Sequence, residues 1–222
     1  MPSIRFALVL AAGLSFQGGA LATPGEADFG RAHPTQPARS VAEWVVQSND
    51  NGASAFFVID KRMARLYVFD PSGRMQGDAP VLLGIARGDD SFPGVGDKPL
   101  ADIPLRERTT PAGRFVAQRG RNAHGDDVVW VDYANAVSLH PVRELSKSEH
   151  RLQRLRSPTP ADNRISYGCI NVPVAFYNTV VQRAWESGGV VIYVLPEVKT
   201  LAQVFPRQPS LKNVATLLRR MG

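Results

Sequence analysis

The sequence predicts a domain that is mainly β with a few helices, its strands curling into a mixed sandwich or barrel-like body. Three observations carry this expectation. From residue 55 onward, short runs rich in Val, Ile, Phe and Tyr are separated by turn signals, which is the pattern of successive strands rather than of alternating strands and helices. Residues 173–187 repeat apolar side chains at helical spacing. Residues 190–195 then form a continuous apolar run of the length of a buried strand.

Ahead of this domain, residues 1–22 have the three parts of a secretory signal: Arg5, an apolar run over 6–14, and Ala20-Leu21-Ala22 as a cleavage site. The apolar run is shorter than the roughly 20 residues that span a bilayer, and no later run is longer, so no membrane span is expected. Cleavage after Ala22 predicts an exported protein of the periplasm or cell envelope, with 200 residues left for one monomeric domain. Loss of Arg5 lowers the formal net charge from +6 to +5. That modest, scattered positive charge suits an anionic envelope polymer and is too weak for a nucleic-acid footprint.

Residues 23–50 read as a linker with a short helix. Its first part, 23–39, mixes proline and glycine without apolar periodicity. Ser40 and Glu43 then stand at capping-box spacing before the apolar face of Val41, Trp44 and Val45, and Asn49-Asp50-Asn51-Gly52 stops the helix. The compact domain is expected over 51–196. Strands at 55–60 and 65–69 form a hairpin around Lys61-Arg62-Met63-Ala64, and a third strand at 81–86 follows the turn Asp70-Pro71-Ser72-Gly73. The polar segment 87–108 is either a flap over a site or a surface loop. Thr110-Pro111-Ala112-Gly113 turns the chain into a strand at 114–118, and 128–132 and 136–140 form a further hairpin. Leu145, Leu152 and Leu155 give 142–156 a thin helical stripe, with Ser146 and Glu149 at capping-box spacing. This segment is read as an insertion beside the site, a solvated helix being the plainer alternative. In 173–187, Val174, Tyr177, Val181 and Trp185 share a face, and Gly188-Gly189 stop the helix. Residues 197–222 are a tail with a basic helix at 210–220.

The chemistry centres on Arg164-Ile165-Ser166-Tyr167-Gly168-Cys169-Ile170-Asn171, which holds the chain's one cysteine. An exported thiol with no disulfide partner in its own chain is either reactive or pairs with another molecule; otherwise Cys169 is a small buried apolar residue. Gly168 permits a tight turn in which the amides of Tyr167, Gly168 and Cys169 can converge on one point as an oxyanion hole. The helix expected from 173 places the sulfur near a positive dipole end. A thiol needs a base to take its proton, and His140 and His150 lie upstream. His140 ends a strand and precedes Pro141, which keeps it extended at the strand's mouth, whereas His150 belongs on a helix surface. Arg164 either binds a substrate carboxylate or makes a surface ion pair. His33, His124, His140 and His150 lack compact ligand spacing, so no metal and no cofactor is expected.

Ser166-Tyr167-Gly168-Cys169-Ile170-Asn171 resembles the signature of the YkuD-type L,D-transpeptidases, Ser/Thr-His-Gly-Cys-hydrophobic-Asn/Arg after an upstream histidine. The opening hairpin, the Thr-Pro-x-Gly-x-Phe run from Thr110 to Phe115 and the closing helix and strand resemble that family in the same order. The resemblance implies a β-rich domain that exchanges cross-links between peptidoglycan stem peptides through a cysteine acyl-enzyme. It implies Cys169 as nucleophile, His140 as base oriented by the Pro141 carbonyl, and Ser166, Gly168 and Asn171 as shaping residues. Tyr167 stands where the family has histidine, and a phenol donates a hydrogen bond but is no base near neutral pH. The gap from His140 is also longer than usual, as an inserted helix allows. An L,D-carboxypeptidase, another envelope amide hydrolase using the same thiol, or a catalytically impaired peptidoglycan-binding module are the other readings.

Overall fold

The computed structural model describes residues 25–144 and 146–206, so the signal at 1–22 and the helix expected at 210–220 lie outside the described residues. The body is mainly β with a few helices: two stacked sheets that do not close into a barrel. β1 (Ala55–Asp60), β2 (Arg65–Phe69) and β3 (Met75–Pro80) continue into a five-stranded sheet of order β3-β2-β1-β11-β5, completed by β5 (Gly113–Val116) and β11 (Val190–Val194). β1 and β11 run parallel and the other pairs are antiparallel. The second sheet has the order β10-β8-β7-β6, from β6 (Gln118–Arg121), β7 (Asp127–Asp132), β8 (Val137–Pro141) and β10 (Ile170–Val172). Only Ala117 separates β5 from β6, so the chain passes there from one sheet to the other. β4 (Leu83–Gly84) and β9 (Arg164–Ser166) form a short parallel pair beside them.

Every residue of β1 is buried, because the five-stranded sheet is covered on both faces. Strand alternation sends Ala55, Phe57 and Ile59 into the core shared with Leu139, Ile170, Val172 and Val181, and Phe56 and Val58 to the opposite core under α1 (Gln36–Ser48). That second core corrects the expected linker: Ala27 and Phe29 are buried, and Asp28 bridges to Arg74. α1 begins four residues earlier than Ser40, because Thr35 accepts the Ala38 N–H at 3.3 Å and donates to Asp60 at 2.6 Å. Asn49, in the left-handed region at φ 52, ends it.

Three further expectations change. The strand expected at 81–86 is preceded by β3, which leaves the Asp70–Gly73 turn at once, and within 81–86 only Leu83–Gly84 form a strand, flanked by isolated bridges from Leu82 to Asn171 and from Ala86 to Thr109. The helix at 173–187 is helical throughout but irregular: α3 (Val174–Phe176) passes into a π-helical turn (Tyr177–Val181) and a 3-10 turn (Arg183–Ser187). In 142–160 the Ser146 capping box does not form. Ser146 Oγ meets Ser148 Oγ at 2.7 Å, a 3-10 turn occupies Lys147–Glu149, and α2 (Arg151–Arg156) follows His150, which sits at φ 49.

The segment 87–108 folds as three 3-10 turns, Val95–Asp97, Leu100–Asp102 and Leu105–Glu107. A buried polar cluster ties it down. Lys61 Nζ, fully buried, donates to Asp89 Oδ1 at 2.7 Å and to the Gly88 and Thr110 carbonyls at 2.6 and 2.8 Å. Asp89 also accepts the N–H groups of Glu197 and Val198 at 2.8 Å each and of Lys199 at 2.5 Å. Burial works against the Asp89 carboxylate, but the Lys61 bond and the three backbone donors outweigh it and hold its pKa at about 2. An aspartate has a pKa of about 3.9 in the unfolded chain, so this contribution is complete above about pH 4 and is lost as pH falls toward about 2. Denaturant unfolding of wild type and Asp89→Asn across this range will show a steeper acid loss in wild type; parallel acid limbs would remove Asp89 from the ledger. Lys61→Met, which leaves Asp89 buried without its cation, will lower unfolding free energy at neutral pH by about 3–5 kcal/mol.

Candidate active site

The turn between β9 and β10 places the thiol. Gly168 adopts φ +130, and a Cβ there would lie 2.6 Å from the Thr109 carbonyl oxygen, so only glycine fits. Ser166 Oγ closes the turn from within, accepting the Gly168 N–H at 3.1 Å and donating to the Cys169 carbonyl at 2.6 Å. Thr110 Oγ1 clamps it from outside, donating to the Gly168 carbonyl at 2.8 Å and accepting the Gly84 N–H at 2.9 Å. The Gly168 N–H is therefore spent on Ser166, leaving the Tyr167 and Cys169 amides as candidate oxyanion donors. Tyr167 is half-buried with the Arg108 guanidinium stacked 4.0 Å from its ring centroid, so it ties the end of the 87–108 segment to the turn.

The register of the second sheet decides what faces the sulfur. β8 and β10 are parallel, with Leu139 opposite Ile170 and Asn171 opposite His140. Leu139 and Ile170 point into the core, so alternation puts Ser138, His140, Cys169 and Asn171 together on the other face. Cys169 is half-buried, with Sγ 3.5 Å from Ser138 Oγ and 3.6 Å from the Ala136 carbonyl. Ala136 presents that carbonyl from a left-handed φ of 54, a strained conformation for a residue with a Cβ.

His140 stands one step along the same face. Its Nδ1 lies 2.8 Å from the Pro141 carbonyl and its Nε2 3.0 Å from Asn171 Nδ2. Asn171, fully buried, accepts at Oδ1 from Arg151 Nη1 at 2.6 Å, and Arg151 Nε donates to Glu149 at 2.6 Å. Neither ring nitrogen of His140 bonds the sulfur in this arrangement; Ser138 lies opposite Cys169 instead. Burial pushes the His140 pKa below its ordinary value. The Pro141 carbonyl resists this, Arg143 and Arg151 add to the lowering, and Asp126 opposes it.

Two expected residues lie elsewhere. Arg164 is committed to a buried ion pair: its Nη atoms bond Glu197 at 2.5 and 3.2 Å and the Lys61 carbonyl at 2.9 Å, which joins it to the Lys61–Asp89 cluster. His150 is exposed between the 3-10 turn and α2. The dipole argument for Cys169 also fails, because β10 intervenes and the helical run begins only at Val174. Ser138, Thr110 and Arg151 are the site's unforeseen members. Strand alternation two residues before His140 points to Ser138 and the Thr-Pro-x-Gly-x-Phe run contains Thr110, but nothing local marks Arg151.

Among solved structures, the chain is similar to the catalytic domain of an Enterococcus faecium L,D-transpeptidase, at 17% identity and TM-score 0.37, over 64% of this chain and 98% of that one. It is similar to the helical cell shape determining protein from Campylobacter jejuni at 16% identity and TM-score 0.39, over 66% of this chain and 49% of that one. An L,D-transpeptidase solved in complex with imipenem matches at 16% identity and TM-score 0.36, over 64% and 59%. The chain thus spans nearly all of the isolated domain and about half to three fifths of the two longer proteins. No protein-family model and no curated protein matches the sequence.

Gly168→Ala is expected to lower unfolding free energy by about 1–3 kcal/mol and to slow alkylation of Cys169 by a neutral thiol reagent, since the added Cβ pushes the turn off Thr109. Thermal unfolding and the alkylation rate of purified protein check both effects; a variant that matches wild type in each would show that the turn does not need glycine.

Proposed function

We propose that the chain is an exported cysteine acyltransferase acting on peptidoglycan stem peptides, with Cys169 as nucleophile and His140 as base. The observation that carries the reading is the shared sheet face: a half-exposed, unpaired thiol on a glycine turn, one strand step from a histidine whose Nδ1 lies 2.8 Å from a backbone carbonyl and whose Nε2 lies 3.0 Å from the Asn171 amide nitrogen. The substrate class comes from the Ser-x-Gly-Cys-Ile-Asn resemblance and the modest positive charge. Among the described residues no helix is long and apolar enough to cross a membrane.

In this mechanism the thiol proton passes to His140 Nε2, directly on a small swing of the ring or through the Ser138 hydroxyl beside the sulfur. The thiolate attacks the carbonyl carbon of an amide between an L- and a D-centre, and the negative charge on oxygen is received by the Tyr167 and Cys169 N–H groups. Collapse breaks the C–N bond, and His140 returns its proton to the departing amine of the D-residue. The resulting thioester is resolved by the amine of a second stem, which restores an amide and the thiol, or by water, which gives a carboxypeptidase. Asn171 orders the base and Ser166 the turn. Arg164 has a structural part in this proposal, because its donors are taken by Glu197 and Lys61.

The engagement of both His140 nitrogens, neither on sulfur, favours a second reading in which the same cleft binds peptidoglycan with impaired chemistry. Intact mass after exposure to a carbapenem separates the two. An acylated wild type and an unmodified Cys169→Ala are expected; an unmodified wild type would sink the nucleophile assignment. Product analysis with a tetrapeptide stem then distinguishes transfer from hydrolysis.

His140→Ala is expected to slow thiol alkylation at neutral pH by about 10²-fold or more. Because the His140 pKa is lowered, the base stays neutral down to pH values below the ordinary histidine midpoint of about 6.5, so the acid limb of the wild-type rate profile will fall below that value. A limb at or above it, or a profile unchanged in His140→Ala, excludes His140 as the base.

A further inference from the structure

We infer that Arg151, carried by the segment 142–160, is a positioning residue that holds His140 in its neutral, Nε2-accepting form by fixing the orientation of the Asn171 amide. The inference deepens the proposed function and rests on His140 serving as the base.

The geometry leaves little freedom. A guanidinium carries donors only, so the Asn171 atom 2.6 Å from Arg151 Nη1 is the carbonyl Oδ1. The other end of the amide, Nδ2, is then the group 3.0 Å from His140 Nε2. An NH2 group aimed at Nε2 requires a lone pair there, and the Pro141 carbonyl at 2.8 Å requires a proton on Nδ1. Together they select one tautomer and oppose the imidazolium, in which N–H would face N–H. Without Arg151 the amide can turn over and offer Oδ1 to an Nε2–H, which stabilises the cation fully and the other neutral tautomer in part, because the Pro141 carbonyl still favours a proton on Nδ1. Asn171 has no room to lose this order cheaply. It is fully buried, and its backbone bridges to Leu82 at 2.9 and 2.8 Å.

Arg151 is held for this task. Leu155, one turn further along α2, packs on Leu82 and Val142, so the apolar side of the short helix seats on the body and Arg151 is buried beside Asn171. Glu149 takes its Nε and keeps the guanidinium plane in place. Charge acts in the same sense. Arg151 on α2 and Arg143 after β8 disfavour a proton on His140, while Asp126 before β7 favours it and is itself ion-paired with Arg143. The Cys169 thiol lies on the same face beside Ser138, and Glu149 is ion-paired with Arg151. The segment that lengthens the gap between base and nucleophile therefore supplies the group that sets the base.

The test is 15N NMR of the imidazole nitrogens in full-length mature protein, read as the His140 titration midpoint and neutral tautomer, beside the pH profile of Cys169 alkylation. Wild type is expected to show the Nδ1–H tautomer. Arg151→Met is expected to raise His140 proton affinity about tenfold, one pH unit, with an Nε2–H population appearing at high pH and the acid limb of alkylation rising in step. Loss of charge alone moves the midpoint but not the tautomer. Arg151→Lys keeps a donor for Oδ1 and should restore both readouts. Asn171→Asp, which can present only oxygen to the ring, should raise the midpoint with Arg151 intact and serves if Arg151→Met does not fold. An Nε2–H tautomer in wild type, or Arg151→Met or Asn171→Asp proteins that titrate like wild type, overturns the inference. If the shifts appear and a carbapenem still adds nothing to Cys169, the Arg151 assignment stands and the acyltransferase reading falls.

Discussion

The packing of Leu139 against Ile170 governs the candidate site although neither side chain faces it. Both are fully buried in the core between the sheets, and they are register partners in the parallel pair of β8 and β10. Side chains alternate along a strand, so burying these two turns Ser138, His140, Cys169 and Asn171 to the opposite face as one group. A slip of one residue would send the thiol into the core and a leucine to the site. The apolar alternation is thus both the stabilising element and the device that collects the polar residues.

The frame around that pair is built to resist such a slip. The five-stranded sheet is covered on both faces, with β1 alternating between two cores, so it offers a rigid floor. Backbone bridges between Leu82 and Asn171 tie the segment entering β4 to β10 of the second sheet, and the Thr110 clamp on Gly168 ties the Cys169 turn to the segment that leads into β5. The cluster of Lys61, Asp89, Glu197 and Arg164 lies outside the site and binds three segments that have little regular structure of their own. Buried charges are costly to desolvate, and this group offsets the cost by sharing carboxylates among cations and backbone donors. Arg164 belongs to this frame, and the site's buried cation is Arg151.

Much of the fold class was legible locally. The hairpin of β1 and β2, the strands β7, β8 and β11, and the helical run after Pro173 all follow from apolar period and turn residues. The misses have local causes too. Ser40 with Glu43 imitates a cap, but Thr35, bonded to Asp60 across the domain, starts α1 earlier. Ser146 with Glu149 imitates another, but Glu149 is drawn to Arg151. In each case a side chain with local capping potential found a different partner, and propensity gave way to tertiary contact.

By itself the sequence determined which atoms are available: one cysteine, a glycine ahead of it that permits a tight turn, and a histidine held extended by Pro141. These are properties of residue type and immediate neighbours, so they can be read along the chain. Only the tertiary structure decided that Thr110 clamps the Gly168 carbonyl, that Arg164 faces Glu197, and that an arginine from α2 reaches Asn171 behind the histidine. Those choices depend on which segments sheet register and core packing bring within about 3 Å of one another, and hydrogen-bond reach between distant residues leaves no trace in local sequence.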